Sequence, residues 1–184
     1  EPLESSSLRA LGYDPTTNLI ITGTVDWCDT VRIKDDKQLA SIAVGQPFTG
    51  IAYLNPINMF GKEARTDGYW AGWVHAIDAD TGIWKWRVKS NYPIVAAITP
   101  TAGGIVFVAD LGGNFYALDS STGQKLWGGP LGSGGGIGGG VITYTVDGVQ
   151  KVAVADGFTM VAWPTKPRHA RVVILGLDSA PPKQ

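Results

Sequence analysis

The sequence is poor in the residues that build most catalytic and metal centres. Among 184 residues there is one cysteine, Cys28, and there are two histidines. A single cysteine excludes an intrachain disulfide and a zinc site of several thiolates. Cys28 is either a small buried hydrophobe or a bridge to another chain. His75 lies in the alternating stretch from Trp73 to Ala76 and His169 in the polar stretch from Pro167 to Arg171, without ligand spacing, so both read as structural or solvated. Charged residues make up only 17%, the net charge is −1, and Lys and Arg form no cluster, which argues against nucleic acid as a partner. No apolar run reaches the roughly 20 residues that span a bilayer. A helical period is missing throughout, and no serine sits in a Gly-x-Ser-x-Gly elbow to support a hydrolase triad. The first residues, Glu1 to Ser7, are acidic and polar, unlike a signal peptide. Either a signal has been removed or the start is internal to a longer precursor.

Glycine is abundant instead, at 25 residues, and hydrophobic residues reach 44%. That combination suits a compact all-β chain with many tight turns. Short strands are expected at Leu8–Gly12, Leu19–Val25, Ile94–Thr99, Gly104–Ala109, Val141–Tyr144, Gln150–Ala155 and Arg171–Leu177. Tyr13 to Asn18 is a proline-fixed turn, and Asp147-Gly148 is a hairpin signal. Residues 29–48 read as a polar excursion over one face with a solvated turn at Asp35-Asp36, and 50–72 as a long irregular loop. Asp178 to Gln184 is a polar tail.

The richest signal is a repeat. Gly72, Ala76, Asp78, Thr81, Gly82 and Trp86 return as Gly113, Ala117, Asp119, Thr122, Gly123 and Trp127, each displaced by 41 residues (78 to 119, 86 to 127). A period of about 40–50 residues made of four short strands marks a β-propeller blade. In the Asp-x-x-Thr-Gly turn the carboxylate accepts from amides just ahead, threonine adds a local bond, and glycine takes a positive φ. The tryptophan beyond it is large enough to wedge between neighbouring sheets. Asp78, Asp119, Trp86 and Trp127 are therefore structural, and Trp70 and Trp73 read as blade packing. The expected fold is a segment of an all-β propeller with four antiparallel strands per blade, incomplete at about three to four blades. Residues 1–184 form one such segment, with blade-like units near 8–60, 68–110 and 111–155 and a closing strand at 171–178. Gly134-x-Gly136-x-x-Gly139 matches a dinucleotide fingerprint in letters only, because β-like, glycine-saturated sequence flanks it. Backbone passing close to a neighbour is the better reading.

The alanine-x-aspartate, threonine-glycine and tryptophan pattern resembles the tryptophan-docking motif of quinoprotein dehydrogenases, the eight-bladed propellers that bind pyrroloquinoline quinone (PQQ). The strings Thr101-Ala102-Gly103-Gly104-Ile105-Val106-Phe107 and Tyr144-x-Val146-Asp147-Gly148-Val149-Gln150-Lys151-Val152-Ala153-Val154 are similar to the late, C-terminal blades of the methanol and ethanol dehydrogenase group. Tyr13-Asp14-Pro15 with Leu19 resembles the start of the preceding blade. The resemblance covers residues 8–178 and implies a PQQ-dependent alcohol dehydrogenase segment or subunit. It implies a periplasmic location, a small alcohol as substrate and a cytochrome c as electron acceptor. The calcium ligands and catalytic aspartate of that family come from earlier blades, so the resemblance assigns this chain no catalytic and no metal residue. The rest of the propeller, an N-terminal polypeptide or subunit, is the implied partner. Cofactor contacts carry over to Asp26, Trp27, Val95 and Ala96, although the family's asparagine and tryptophan are replaced at Val25 and Val95. Asp26 and Trp27 either touch the quinone or form an ordinary strand-end pair. The rival reading is a non-enzymatic PQQ-repeat propeller that serves as a protein-binding or assembly scaffold.

Overall fold

A computed structural model describes residues 11–26, 30–48, 51–55, 58–59, 62–63, 71–132, 135–158 and 169–176. Trp27, Cys28, Trp70, Gly134 and the polar tail lie outside the described residues. The strands are β1 (Leu11–Asp14), β2 (Leu19–Asp26), β3 (Thr30–Ile33), β4 (Ile51–Asn55), β5 (Asn58–Met59), β6 (Lys62–Glu63), β7 (Ala71–Asp78), β8 (Trp84–Ser90), β9 (Thr99–Pro100), β10 (Ile105–Ala109), β11 (Asn114–Asp119), β12 (Lys125–Pro130), β13 (Val141–Val146), β14 (Val149–Asp156) and β15 (Arg171–Gly176), with a short helix α1 (Asp36–Ala40). No helix among the described residues is long and apolar enough to cross a membrane.

Three antiparallel sheets follow one another. Sheet 1 is ordered β1-β2-β7-β8, sheet 2 β9-β10-β11-β12, and sheet 3 β13-β14-β15. Small pairs β3-β4 and β5-β6 belong to the excursion between β2 and β7. Period-2 alternation decides what faces what. Leu19 and Ile21 of β2 and Val74 and Ala76 of β7 form one buried cluster with Ile94, Ile98, Val106, Val108 and Leu118, joining sheets 1 and 2. Ala109, Phe115, Ile137, Val141 and Val154 form a second, joining sheets 2 and 3. The all-β architecture of stacked antiparallel, blade-like sheets, two of them four-stranded and one three-stranded among the described residues, is as expected.

The sheets divide the chain differently from the blade-like units expected. β7 and β8 complete sheet 1 rather than opening a second unit, because β2 pairs with β7 from Leu19↔Asp78 to Asp26↔Ala71 across the excursion. The repeat has the right period in a shifted phase: its conserved letters mark the outer hairpin of each sheet, β7-β8 and β11-β12. Both hairpins carry a bulge at the same place, after Ala76 and after Ala117. The repeated alanine lies opposite the repeated tryptophan, Ala76↔Trp86 and Ala117↔Trp127, where a small side chain leaves room for a large one. Asp35-Asp36 is also not a plain turn. Asp35 caps α1 with a capping box, its carboxylate accepting from Gln38 N at 2.8 Å while Gln38 Oε1 accepts from Asp35 N at 3.1 Å. One and a half turns are too short to display a 3.6-residue period.

The Asp-x-x-Thr-Gly turns behave as their chemistry dictates. Asp78 Oδ1 accepts from Thr81 Oγ1 at 2.8 Å and Thr81 N at 2.9 Å, and Lys85 lies 3.1 Å from Oδ2. Asp119 Oδ1 accepts from Ser121 Oγ at 2.7 Å and Thr122 Oγ1 at 2.9 Å. Gly123 has φ +73°, and a Cβ there would meet the Trp86 ring at 2.6 Å. The Trp86 indole thus lies on the next sheet's turn, and its Nε1 donates to Ser120 O at 3.0 Å. Ser120 Oγ donates in turn to the buried carboxylate of Asp14 in sheet 1. Trp127 departs from the wedge role expected of it. It is 55% exposed and touches Phe115 edge-on within its own sheet.

Trp86→Phe loses the pyrrole half of the indole together with its bond to Ser120, so urea unfolding should show a loss of about 1–3 kcal/mol; an unchanged midpoint would refute the inter-sheet role. Acid should also weaken the fold. Thr81 and Lys85 hold the Asp78 carboxyl down at about 2. Ser121 and Thr122 lower that of Asp119. Burial pushes Asp14 up, but bonds from Ser120, Thr16 and Thr17 outweigh it and leave it lowered. Depressed folded values mean that the unfolded chain binds more protons, so this stability is complete above about pH 4 and lost as pH falls toward 2. Melting temperature measured from pH 5 to pH 2 should drop in that window, and less so in Asp78→Asn/Asp119→Asn.

Candidate functional site

Antiparallel order sorts the connections to two ends. The β1-β2, β7-β8, β9-β10 and β11-β12 turns share one end, and Asp26, the 91–98 and 131–140 connections and the 110–113 turn share the other. Of the sequence-predicted site residues, Asp26, Val95 and Ala96 fall at this second end.

The strip from Pro93 to Ala97 carries no regular strand, yet its backbone is fastened on each side. Ile94 N donates to Thr24 O at 3.2 Å, Leu111 N to Pro93 O at 3.0 Å, and Ala97 N to Gly139 O at 3.1 Å. Glycine permits the approach. A Cβ on Gly72 would meet Tyr92 O at 2.5 Å and Ile94 N at 2.7 Å. The glycine-rich connection is close-packed in the same way: a Cβ on Gly138 would strike the Phe158 ring at 2.6 Å, and one on Gly139 the Ala155 Cβ at 2.6 Å. Phe158 N donates to Gly136 O at 2.8 Å and Ile137 N to Asp110 O at 3.0 Å. No helix follows Gly139; β13 does, so this is a run of close backbone contacts, as expected, and not a dinucleotide loop.

Asp26 and Val95 are brought to the same end through the bond between Ile94 and Thr24. Both are half-buried. Asp26 Oδ2 accepts from Trp73 Nε1 at 3.3 Å, and the Trp73 ring carries the Arg87 guanidinium at 5.0 Å and the Lys89 ammonium at 5.5 Å. Trp73 is therefore an anchor for a carboxylate and two cations in addition to packing. Ala96 differs from Val95: its side chain is fully buried in the cluster between sheets 2 and 3, spent on packing and presenting no surface to a ligand. Trp27 lies outside the described residues. His75 is buried, with Nε2 3.1 Å from Thr24 Oγ1 and its ring 4.6 Å from that of Trp84, a structural role as expected. Among the described residues no three His, Cys, Asp or Glu side chains gather to hold a metal ion.

Sequence reasoning overlooked Asp110, which it saw only as part of a tight turn. This carboxylate is fully buried. Oδ1 accepts from Gly112 N at 2.9 Å, Asn114 N at 3.0 Å and Asn114 Nδ2 at 2.9 Å. Oδ2 accepts from Ser90 Oγ at 3.0 Å and Tyr116 OH at 2.9 Å. Burial first, and then the negative charge of Asp110, push the Tyr116 phenol far above its ordinary range, so it stays a donor. The only advance signal was an acid followed by Gly112-Gly113 between two strands.

Comparisons with known proteins agree with this architecture. The family model described as outer membrane protein assembly factor BamB matches residues 71–166, just over half of the chain. Methanol dehydrogenase [cytochrome c] subunit 1 of Paracoccus denitrificans is 31% identical over 157 residues, covering 83% of this chain and 22% of that protein. The lanthanide-dependent methanol dehydrogenase of Methylacidiphilum fumariolicum (strain SolV) is 32% identical over 146 residues, 79% of this chain and 22% of its own length. In structure, a quinohemoprotein alcohol dehydrogenase of Pseudomonas putida HK5 superposes with a TM-score of 0.73 at 22% identity over 96% of this chain and 27% of that one, a likeness of fold. The chain thus spans about a fifth of the curated relatives it matches. With that family match from β7 to β14 and methanol dehydrogenases aligned along most of its length, the chain belongs to the PQQ-repeat family of the quinoprotein alcohol dehydrogenases.

Proposed function

We propose that this chain forms late, C-terminal blades of a PQQ-dependent alcohol dehydrogenase. The observation that carries the reading is the long alignment to methanol dehydrogenases, 83% of the chain in one case. The geometry supports it in a second way. Sheets 1 and 3 each expose large apolar side chains on their outward faces, Leu11, Tyr13 and Trp84 beside Arg87 and Lys89 on one and Ile142, Val172 and Ile174 on the other. Faces of that kind are covered by neighbouring blades in a ring.

In this reading Val95 and the Asp26–Trp73 pair form one wall of the quinone site. Their chemistry fits that role. Val95 gives half-buried apolar surface for a flat ring, and Trp73 brings the positive charge of Arg87 and Lys89 close to a site for an anionic, carboxylate-bearing cofactor. When bound, PQQ supplies the two-electron acceptor for oxidation of an alcohol. This chain's residues orient the ring and exclude water, and Asp26 is held in place by the indole N–H. The metal and the catalytic base belong, in this reading, to other segments of the propeller. A small alcohol as substrate, a cytochrome c as acceptor and a periplasmic location complete the proposal.

A second reading has one observation in its favour: the matching family model is described by an outer membrane assembly factor. A scaffold of that class would use the exposed sheet faces to hold proteins. The two separate cleanly. The complete polypeptide carrying this segment, mixed with PQQ and calcium or a lanthanide, should develop quinone absorbance and oxidise a primary alcohol with an artificial dye. Absence of bound quinone, together with a stoichiometric protein partner, would overturn the dehydrogenase reading.

A further inference from the structure

Asp110 is costly to bury. An ionised carboxylate removed from water needs its lone pairs filled, and here neutral groups alone fill them: Ser90 Oγ, Tyr116 OH, Asn114 Nδ2 and the amides of Gly112 and Asn114. A turn between two strands of one sheet requires no such group. One of its partners, Ser90, lies beyond its own sheet. Ser90 is the last residue of β8 in sheet 1, and Ser90 Oγ also accepts from Tyr92 N at 3.1 Å, at the head of the 93–97 strip. The next residue, Leu111, donates its N–H to Pro93 O, and Asp110 O receives Ile137 N from the glycine-rich connection. The strip with Val95 and the segment with Gly139 are therefore both bonded to the backbone of the turn that the Asp110 carboxylate holds in shape.

We propose that Asp110 is a positioning residue for the cofactor wall, holding the 93–97 and 135–140 connections in register so that Val95 meets the quinone ring. The inference rests on the proposed function, since it requires a quinone at that end. Ser120 supplies the control. It fastens sheet 1 to sheet 2 at the opposite end, through Asp14 and Trp86, and touches neither connection. A residue that merely stabilises this interface would behave as Ser120 does.

The test uses the complete polypeptide and titrates PQQ, with calcium present, by quenching of tryptophan fluorescence, with the melting temperature recorded beside it. Asp110→Asn and Ser120→Ala should both lower the melting temperature. Only Asp110→Asn should weaken PQQ binding, by about tenfold or more, as displacement of a positioned wall does. Ser90→Ala, which leaves the carboxylate in place and removes one of its bonds, should weaken binding in the same direction by less, and it carries the test should Asp110→Asn not fold. Unchanged PQQ affinity in Asp110→Asn or, if that variant does not fold, in Ser90→Ala overturns the inference, as does an equal loss in Ser120→Ala at the same melting temperature. Wild-type protein that takes up no PQQ overturns the proposed function itself, a different result from either.

Discussion

The middle sheet is apolar on both faces, and the rest of the structure depends on that. Val106, Val108 and Leu118 point toward sheet 1, while Ala109 and Phe115 point toward sheet 3. Neither face can be left to water, because each fully buried side chain of this size contributes about 1.5–3 kcal/mol only while it stays covered. Sheet 2 therefore needs a neighbour on each side. The same logic carries outward: sheets 1 and 3 satisfy sheet 2 with one face and expose large apolar side chains on the other. Blade-like sheets propagate in this way until a ring closes.

Within that stack the two ends divide the work. At one end the fastening is local and repetitive, each aspartate serving its own turn and Trp86 with Ser120 tying one sheet to the next. Small polar side chains near the surface suffice there. At the other end the connections between sheets run without regular strands, and their order comes from backbone-to-backbone bonds across glycines and from two buried carboxylates, Asp110 and Asp156. Stability is spread over many replaceable bonds at the first end. At the second, geometry is concentrated in few.

Local chemistry was readable from the sequence and long-range pairing was not. The Asp147-Gly148 hairpin was evident because left-handed conformations at both positions, φ +49° and +76°, demand those residue types. The Asp-x-x-Thr-Gly turns were evident for the same reason. The blade boundaries were misplaced because the repeat reports where hairpins turn, whereas a sheet is defined by the pairing of β2 with β7, which leaves no mark on either strand alone. Ala96 looked like site surface, since an alanine in an irregular stretch gives no sign of facing a core. Asp110 passed for an ordinary turn acid because its partners, Ser90 and Tyr116, come from two different sheets.

The excursion between Asp26 and Ala71 has a meaning for how the chain comes together. Sheet 2 is built from successive hairpins, so each of its strands finds its partner nearby. Sheet 1 has to close across residues 27–70 before β7 can pair with β2. The entropy of such a closure grows only with the logarithm of loop length, about 0.6 kcal/mol for each doubling. Lengthening this loop burdens the native state little and slows the search for it, since non-local strand pairing is the slow step in β-rich chains. It is accordingly the place where the ring can acquire new sequence without losing its shape, with the toll taken in time rather than in stability.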